Sequence, residues 1–122
     1  MDNSISNDLR SSLEDAIELF NNQKWYEAHD ALEDIWNDLD GDCRQIIQGI
    51  LQVAVSQLHL KRGNYNGATI LLGEGLGRIK NRTNVDFGLD LKSFCYNLEL
   101  ILDKLQNKIP VNKNDTPILI LK

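Results

Sequence analysis

The sequence predicts an all-α protein: a compact array of about five antiparallel helices of the helical-hairpin type, followed by an extended C-terminal tail. Apolar residues recur at intervals of three and four in five segments, which is the period of one face of an α-helix. Short stretches rich in Gly, Asn and Asp separate the segments, and such short turns favour antiparallel neighbours. The length of 122 residues and the hydrophobic content of 42% are typical of one domain. A single helical domain over residues 1–122 is therefore predicted.

The first two helices are predicted from amphipathic stripes. The first helix spans about residues 6–22, and its apolar face consists of Leu9, Leu13, Ile17 and Phe20. The second helix follows a short turn near Gln23, and its apolar face consists of Trp25, Ala28, Leu32, Ile35, Trp36 and Leu39. The run Asp40-Gly41-Asp42 ends this helix.

A third helix is predicted over about residues 42–62, and apolar residues cover most of its circumference. Such a helix packs on several neighbours at once, and its several apolar faces also predict a homo-oligomer as an alternative. Its uncharged stretch is interrupted by glutamines and a histidine, and it is also short for a membrane span. No membrane association is therefore predicted. Gly63 suits the left-handed end of this helix, and Asn64 suits the N-cap of the next one.

The last two helices and the tail complete the predicted array. The fourth helix has apolar positions at Tyr65, Ala68, Leu71, Leu72, Leu76 and Ile79. Its Gly73–Gly77 run lacks the spacing, the preceding strand and the lysine of a phosphate loop, so it indicates helix packing or local flexibility. After a loop over residues 81–88, the fifth helix carries Leu91, Phe94, Leu98, Ile101, Leu102 and Leu105. Pro110 and Pro117 exclude further helix, and we expect the tail over about residues 110–122 to lie extended across the helices.

Charge and cysteine content narrow the classes of function. The formal net charge is −5 and the cations are scattered, so nucleic acid is not a predicted partner. Basic groupings at 61–62 and 78–82 lie at expected helix C-termini, where cations complement the helix dipole. Cys43 and Cys95 are too few for a disulfide framework or a thiolate zinc site. Since residues 1–6 show no secretory signal, we predict a reducing compartment: the cytoplasm, or the plastid stroma for a plastid-encoded chain.

Both histidines lie among apolar residues at helical spacing, which predicts a polar cluster in a semi-buried pocket. On the second helix, His29 lies beside Trp36, and Glu33 follows at the spacing at which a carboxylate reaches an imidazole. On the third helix, one polar stripe consists of Gln48, Gln52, Ser56 and His59. If this stripe faces the second helix, Gln52 and His59 meet the His29 pair. If it faces water, the stripe is the solvated edge of a core helix.

Two kinds of site fit these residue types. Two imidazoles and a carboxylate, from His29, His59 and Glu33, are suitable ligands for a divalent transition metal, and the His29–Glu33 pair also suits acid–base catalysis. A structural hydrogen-bond network needs the same residues and is the favoured interpretation. We therefore predict an uncharacterised helical module that binds a protein or small-molecule partner. A metal-dependent or acid–base enzyme acting on a small molecule is the alternative.

Two parts of the sequence resemble a known family. The run FNNQKWYEAHDALEDIW at residues 20–36, and the run QGILQVAV at residues 48–55 followed by LHLKRGN at residues 58–64, resemble the two signatures of the domain of unknown function 309 family. The resemblance covers about residues 13–79 and implies a small all-helical domain, found mainly in bacteria and plastid-bearing lineages, without an established activity. It marks Glu27, His29, Asp30, Glu33, Trp36, Gln52, His59, Gly63 and Asn64 as positions on the family pattern. Asp30 stands where the family more often has glutamate, which shortens the reach of that carboxylate.

Overall fold

The computed structural model describes residues 6–122, so nearly all of the N-terminal segment examined for a secretory signal lies outside the described residues. Five helices follow in chain order: α1 (Asn7–Asn21), α2 (Trp25–Asn37), α3 (Gly41–Lys61), α4 (Tyr65–Lys80) and α5 (Leu91–Gln106). The β-structure described within residues 6–122 is an isolated antiparallel bridge between Leu89 and Leu121. The prediction of an all-α array of five helices is confirmed, and the predicted helix ends differ from these bounds by one or two residues.

Local sequence explains where three of the helices begin. Ser6, Asn64 and Asp90 precede α1, α4 and α5, and a side-chain oxygen of each accepts the backbone N–H of the third residue along the chain. Each cap satisfies one of the N–H groups that have no partner inside the helix. Gly63 follows α3 with a φ of 77°, a left-handed conformation that glycine adopts without steric cost. The predicted turn at Gly63 and the predicted cap at Asn64 are both confirmed.

Packing follows the chain order, because α1 contacts α2, α2 contacts α3, α3 contacts α4, and α4 contacts α5. The central helix is α3, in which nine residues are buried, and the prediction that it packs on several neighbours is confirmed. The helices α2 and α4 cover the apolar faces of α3. These faces therefore give no argument for a homo-oligomer, and the homo-oligomer stays a prediction. None of the helices described within residues 6–122 combines the length and the apolar character needed to cross a membrane.

An aromatic group holds the two ends of the array together. The ring of Phe20 on α1 meets Trp25 of α2 edge-on with 5.0 Å between ring centres, and it meets Phe94 of α5 edge-on at 5.9 Å. Phe87 and Leu89, from the segment between α4 and α5, are also buried. These two residues were not among the predicted core positions, because their segment has no helical period.

The backbones of α3 and α4 approach very closely at one pair of glycines. A Cβ atom added to Gly75 would lie 2.6 Å from the carbonyl oxygen of Gly49, and one added to Gly49 would lie 2.8 Å from the carbonyl oxygen of Gly75. At Gly73 and Gly77 the same added atom would have no neighbour within 4 Å. The interpretation of the glycine-rich run as a helix-packing feature is therefore confirmed for its central glycine.

The C-terminal tail lies extended and is held by asparagine side chains from α1 and α5. Asn21 donates from Nδ2 to the carbonyl oxygen of Leu119 at 2.8 Å, and its Oδ1 accepts the N–H of the same residue at 2.9 Å. Asn97 donates to the carbonyl oxygen of Thr116 and accepts the N–H of Ile118. Leu119 is buried while the residues on either side of it are exposed, the alternation of an extended chain. The predicted extended tail is confirmed.

Candidate functional site

The predicted polar cluster is divided among separate contacts, and the first of these is at His29. His29 is half-buried on α2, and its Nδ1 lies 3.5 Å from Oδ1 of Asp30. Glu33 and Glu27 are both exposed. Within residues 6–122, no hydrogen bond or ion pair joins His29 to Glu33. In this structure the carboxylate beside the imidazole is that of Asp30, and the pairing of His29 with Glu33 stays a prediction.

The second contact brings together two of the predicted pocket residues, His59 and Asn64. Nδ1 of His59 lies 3.1 Å from Nδ2 of Asn64. Oδ1 of Asn64 accepts the N–H of Gly67 at 3.0 Å, which identifies Nδ2 as the donor atom of this amide. With the amide in this orientation, Nδ1 of His59 is the acceptor of the contact. This contact closes the turn between α3 and α4.

The third contact shows which way the polar stripe of α3 faces. Gln52 donates from Nε2 to Oε1 of Glu74 at 3.0 Å, and its Oε1 accepts the Nε–H of Arg78 at 2.9 Å. Both partners lie on α4. At this position the stripe faces neither α2 nor open water, the two alternatives left by the sequence, and Gln52 does not meet His29.

Two arginines of the 78–82 grouping hold α4 against α3. Arg78 donates from Nη1 to Oε1 of Gln45, and Arg82 donates from Nε to Oδ1 of Asp42 at 3.0 Å. The sequence interpretation assigned these cations to the dipole at the end of α4 and missed their contacts. Their spacing of four residues, close to one helical turn, is the signal that could have indicated that both reach the same neighbouring helix.

The N-terminal half of α3 contains a cation–π contact and one of the two cysteines. The guanidinium carbon of Arg44 lies 3.6 Å from the ring centre of Trp36, so Trp36 contacts a cation of α3. Burial raises the pKa of Cys43, and the carboxylates of residues 42 and 40 raise it further. Burial also raises the pKa of Cys95, to about 11. Both thiols are therefore protonated near neutral pH and poorly nucleophilic.

The predicted metal ligands are not assembled in the described structure. Within residues 6–122, no three His, Cys, Asp or Glu side chains are grouped so that they could hold a metal ion. His29, Glu33 and His59 therefore do not form the predicted ligand set. Since three or more convergent ligands are usual for such ions, the positions of these residues add no support to the enzyme alternative.

A groove lies where α3 ends, α4 begins and the tail passes. It consists of two adjoining cavities of about 430 Å³ and 250 Å³ that share Tyr65 and Val111, and we refer to both together as the Tyr65 groove. The first cavity is lined by Tyr65, Asn66, Thr69, Leu105, Lys108, Ile109, Pro110 and Val111. The second is lined by Gln23, Trp25, Gln57, Leu60, Lys61, Tyr65, Val111, Asn112, Lys113, Asp115 and Thr116.

The second cavity of the Tyr65 groove has a buried amide in its lining. Gln57 is only 7% exposed, and its Nε2 donates to Oγ of Ser56 at 3.2 Å. Within residues 6–122, no hydrogen bond reaches its Oε1 atom. The described side-chain atom that is fully buried without a partner is Nε of Arg44, so Oε1 of Gln57 keeps contact with solvent. As part of the cavity lining, this amide can accept a hydrogen bond from a bound group.

Another cavity, of about 490 Å³, lies between α1 and α2. Its lining includes the aspartates Asp8, Asp15, Asp34 and Asp38. All four side chains are exposed, so they are hydrated and repel one another more weakly than buried charges would. The Tyr65 groove differs because a buried polar side chain opens into it.

The fold and the groove together define a small all-helical protein with an open groove at its surface. The model of the family described as Domain of unknown function (DUF309) matches residues 13–71, and this match confirms the resemblance seen in the two sequence signatures. The matched residues include the α3 and α4 sides of the groove as far as Thr69, while the tail that forms its other side lies beyond them. No curated protein matches the chain.

Proposed function

We propose that this protein is a non-catalytic helical binding module, and that a segment of a partner protein lies in the Tyr65 groove. The observation that carries the proposal is the open groove, whose second cavity has the largely buried Gln57 amide in its lining. A backbone N–H of a bound segment would replace solvent at Oε1 of this amide. Small-molecule pockets are usually concave and largely enclosed, whereas two adjoining open cavities suit an extended chain.

The sides of the groove are suited to binding because they are held in place from within the chain. Tyr65 begins α4 directly after the Asn64 cap, and it is 60% exposed. Asp115, which lines the same cavity as Tyr65, accepts a hydrogen bond from Nζ of Lys104 at 2.9 Å and one from the backbone N–H of Asn112 at 3.0 Å. Pre-ordered walls reduce the conformational entropy that binding must overcome.

The proposed compartment is the one predicted from the cysteines. Cys43 and Cys95 are both free thiols, and cysteines without disulfide partners are typical of proteins kept in reducing surroundings. We accordingly propose that the module acts in the cytoplasm, or in the plastid stroma for a plastid-encoded chain. Fractionation of the native host's cells, followed by detection of the protein in each fraction with a specific antibody, would test this.

Selection from a random peptide library displayed on phage tests the proposed function. The purified wild type is compared with Tyr65→Ala and with the matched control Tyr96→Ala. Tyr96 is 66% exposed on α5 and lines neither cavity of the groove. Circular dichroism of each variant first shows that it is folded.

The expected result is a set of peptides that bind the wild type and the Tyr96→Ala variant and bind the Tyr65→Ala variant at least about tenfold more weakly, a loss of about 1.4 kcal/mol. If Tyr65→Ala leaves every selected peptide bound as tightly as before, the groove is not the binding site and the proposal fails.

A further inference from the structure

The Tyr65 groove is bordered by positive charge on a chain whose net charge is negative. Lys61 lies at the end of α3, Lys108 follows the end of α5, and Lys113 lies on the tail. All three are exposed, and each lines one of the two cavities. Within residues 6–122, the ion pairs of the structure involve none of these three lysines.

The carboxylate in the same lining does not offset these charges. Asp115 accepts two hydrogen bonds from Nζ of Lys104, which lies outside the lining, at 2.9 Å each. The hydrogen bond from the backbone N–H of Asn112 lowers the pKa of Asp115, and Lys104 lowers it further. Asp115 therefore stays ionised and paired with a cation of its own. The lysines of the groove are left without a partner of opposite charge among the described residues.

The apolar part of the groove lies beside one of these lysines. Leu105, Ile109 and Pro110 line the first cavity together with Lys108. Ile109 is 47% exposed, so a bound aliphatic side chain would remove apolar surface of both partners from water. Cationic and aliphatic surface thus occur side by side, with the amide of Gln57 in the adjoining cavity.

From these positions we infer that the partner segment is an extended acidic peptide with aliphatic side chains among its carboxylates. Its carboxylates pair with Lys61, Lys108 and Lys113, and an aliphatic side chain enters the cavity beside Ile109. A backbone N–H donates to Gln57. The inference rests on the proposed function, because it names the chemistry of the segment that the groove binds.

The test uses three fluorescent synthetic peptides on the full chain. In the first, leucines alternate with glutamates; in the second, glutamines replace the glutamates; in the third, lysines replace them. Binding is measured by fluorescence anisotropy at low and at high salt. Each peptide is titrated with the wild type, with Tyr65→Ala, with the Lys61→Gln/Lys108→Gln/Lys113→Gln variant, and with a control that carries the same charge change, Lys80→Gln/Lys92→Gln/Lys122→Gln.

Three results together would support the inference. The acidic peptide binds more tightly than the other two. The groove variant weakens this binding by about tenfold or more, as expected for three exposed ion pairs, while the control variant does not. High salt weakens the binding of the acidic peptide to the wild type, because salt screens exposed charges.

Other results separate the inference from the proposed function. If the neutral peptide binds as tightly as the acidic one and Tyr65→Ala weakens both, the groove binds peptides but the acidic preference is wrong. If none of the library or synthetic peptides depends on Tyr65, both proposals fail. If a single-stranded RNA oligonucleotide binds through the three lysines and the acidic peptide does not bind, the inferred partner class is wrong.

Discussion

Replacing Gly75 by alanine tests the close approach of α3 and α4. The added Cβ would lie 2.6 Å from the carbonyl oxygen of Gly49, whereas ordinary contacts begin at 3.4 Å, so the two backbones must separate by about 0.8 Å. The obstructing atom belongs to the backbone of a buried helix and cannot move aside as a side chain does. Overpacking of this kind costs about 1–3 kcal/mol. We expect the upper part of that range, because both surfaces in contact are backbone.

Alanine also stabilises the helix relative to glycine, and this gain offsets part of the overpacking cost. Alanine is better than glycine inside a helix by about 1 kcal/mol, so Gly75→Ala is expected to lower the free energy of unfolding by about 2 kcal/mol. Gly73→Ala and Gly77→Ala are matched controls on the same helix, because an added Cβ meets nothing within 4 Å there. Each control is expected to raise the free energy of unfolding by about 0.5–1 kcal/mol.

Urea denaturation followed by far-ultraviolet circular dichroism measures all three variants under one set of conditions. A lower midpoint with an unchanged slope would show that stability itself changed, rather than the compactness of either state. If Gly75→Ala is as stable as Gly73→Ala, α3 and α4 do not cross in contact at Gly75, and the reasoning is refuted.

Three further predictions concern the polar contacts and the tail. Arg78→Met removes half-buried hydrogen bonds between α4 and α3 and should destabilise the protein by about 1–3 kcal/mol in urea titrations, against less than about 1 kcal/mol for the exposed control Lys80→Met; equal losses would contradict this. Asn21→Ala removes both hydrogen bonds to the Leu119 backbone, so hydrogen exchange at the Leu119 amide should accelerate by about tenfold, and unchanged exchange would disprove the proposed anchoring. Because the folded pKa of Asp115 lies below its ordinary value of 3.8, its stabilising effect is complete above that pH and is lost as the pH falls from 3.8 to the lower folded pKa. Acid titration of Asp115→Asn should lack this part of the wild-type transition, and an unchanged profile would show that the carboxylate contributes nothing.

The candidate site shows where reasoning from the sequence reached its limit. Helical spacing placed His29 and Glu33 on the same side of α2, but spacing cannot rank two carboxylates that are both within reach of one imidazole. Asp30 lies beside the ring instead. The pair formed by His59 and Asn64 was accessible to prediction because both residues belong to one local turn, whose geometry Gly63 helps to set.

Residues that lack a helical period were the hardest to place. Phe87 and Leu89 are buried from an irregular segment, and the chain after α5, over residues 108–116, supplies about half the lining of the Tyr65 groove. Neither position follows from periodicity, because an irregular chain has no fixed relation between residue number and direction. Gln57 is similar: its place on α3 was predictable, but its presence in a cavity lining depends on where the tail passes.

The sequence by itself determined the helices, their ends and the apolar faces that α1, α2 and α5 turn to the core, because hydrophobic period, caps and breakers act over a few neighbouring residues. The tertiary structure decided which helix each polar side chain meets. Gln52 forms a hydrogen bond with Arg78 on α4 and none with His29 among the described residues. The glycines at positions 49 and 75 allow α3 and α4 to approach more closely than larger residues would permit. Facing and register depend on packing between residues far apart in the chain, and that is information no local pattern contains.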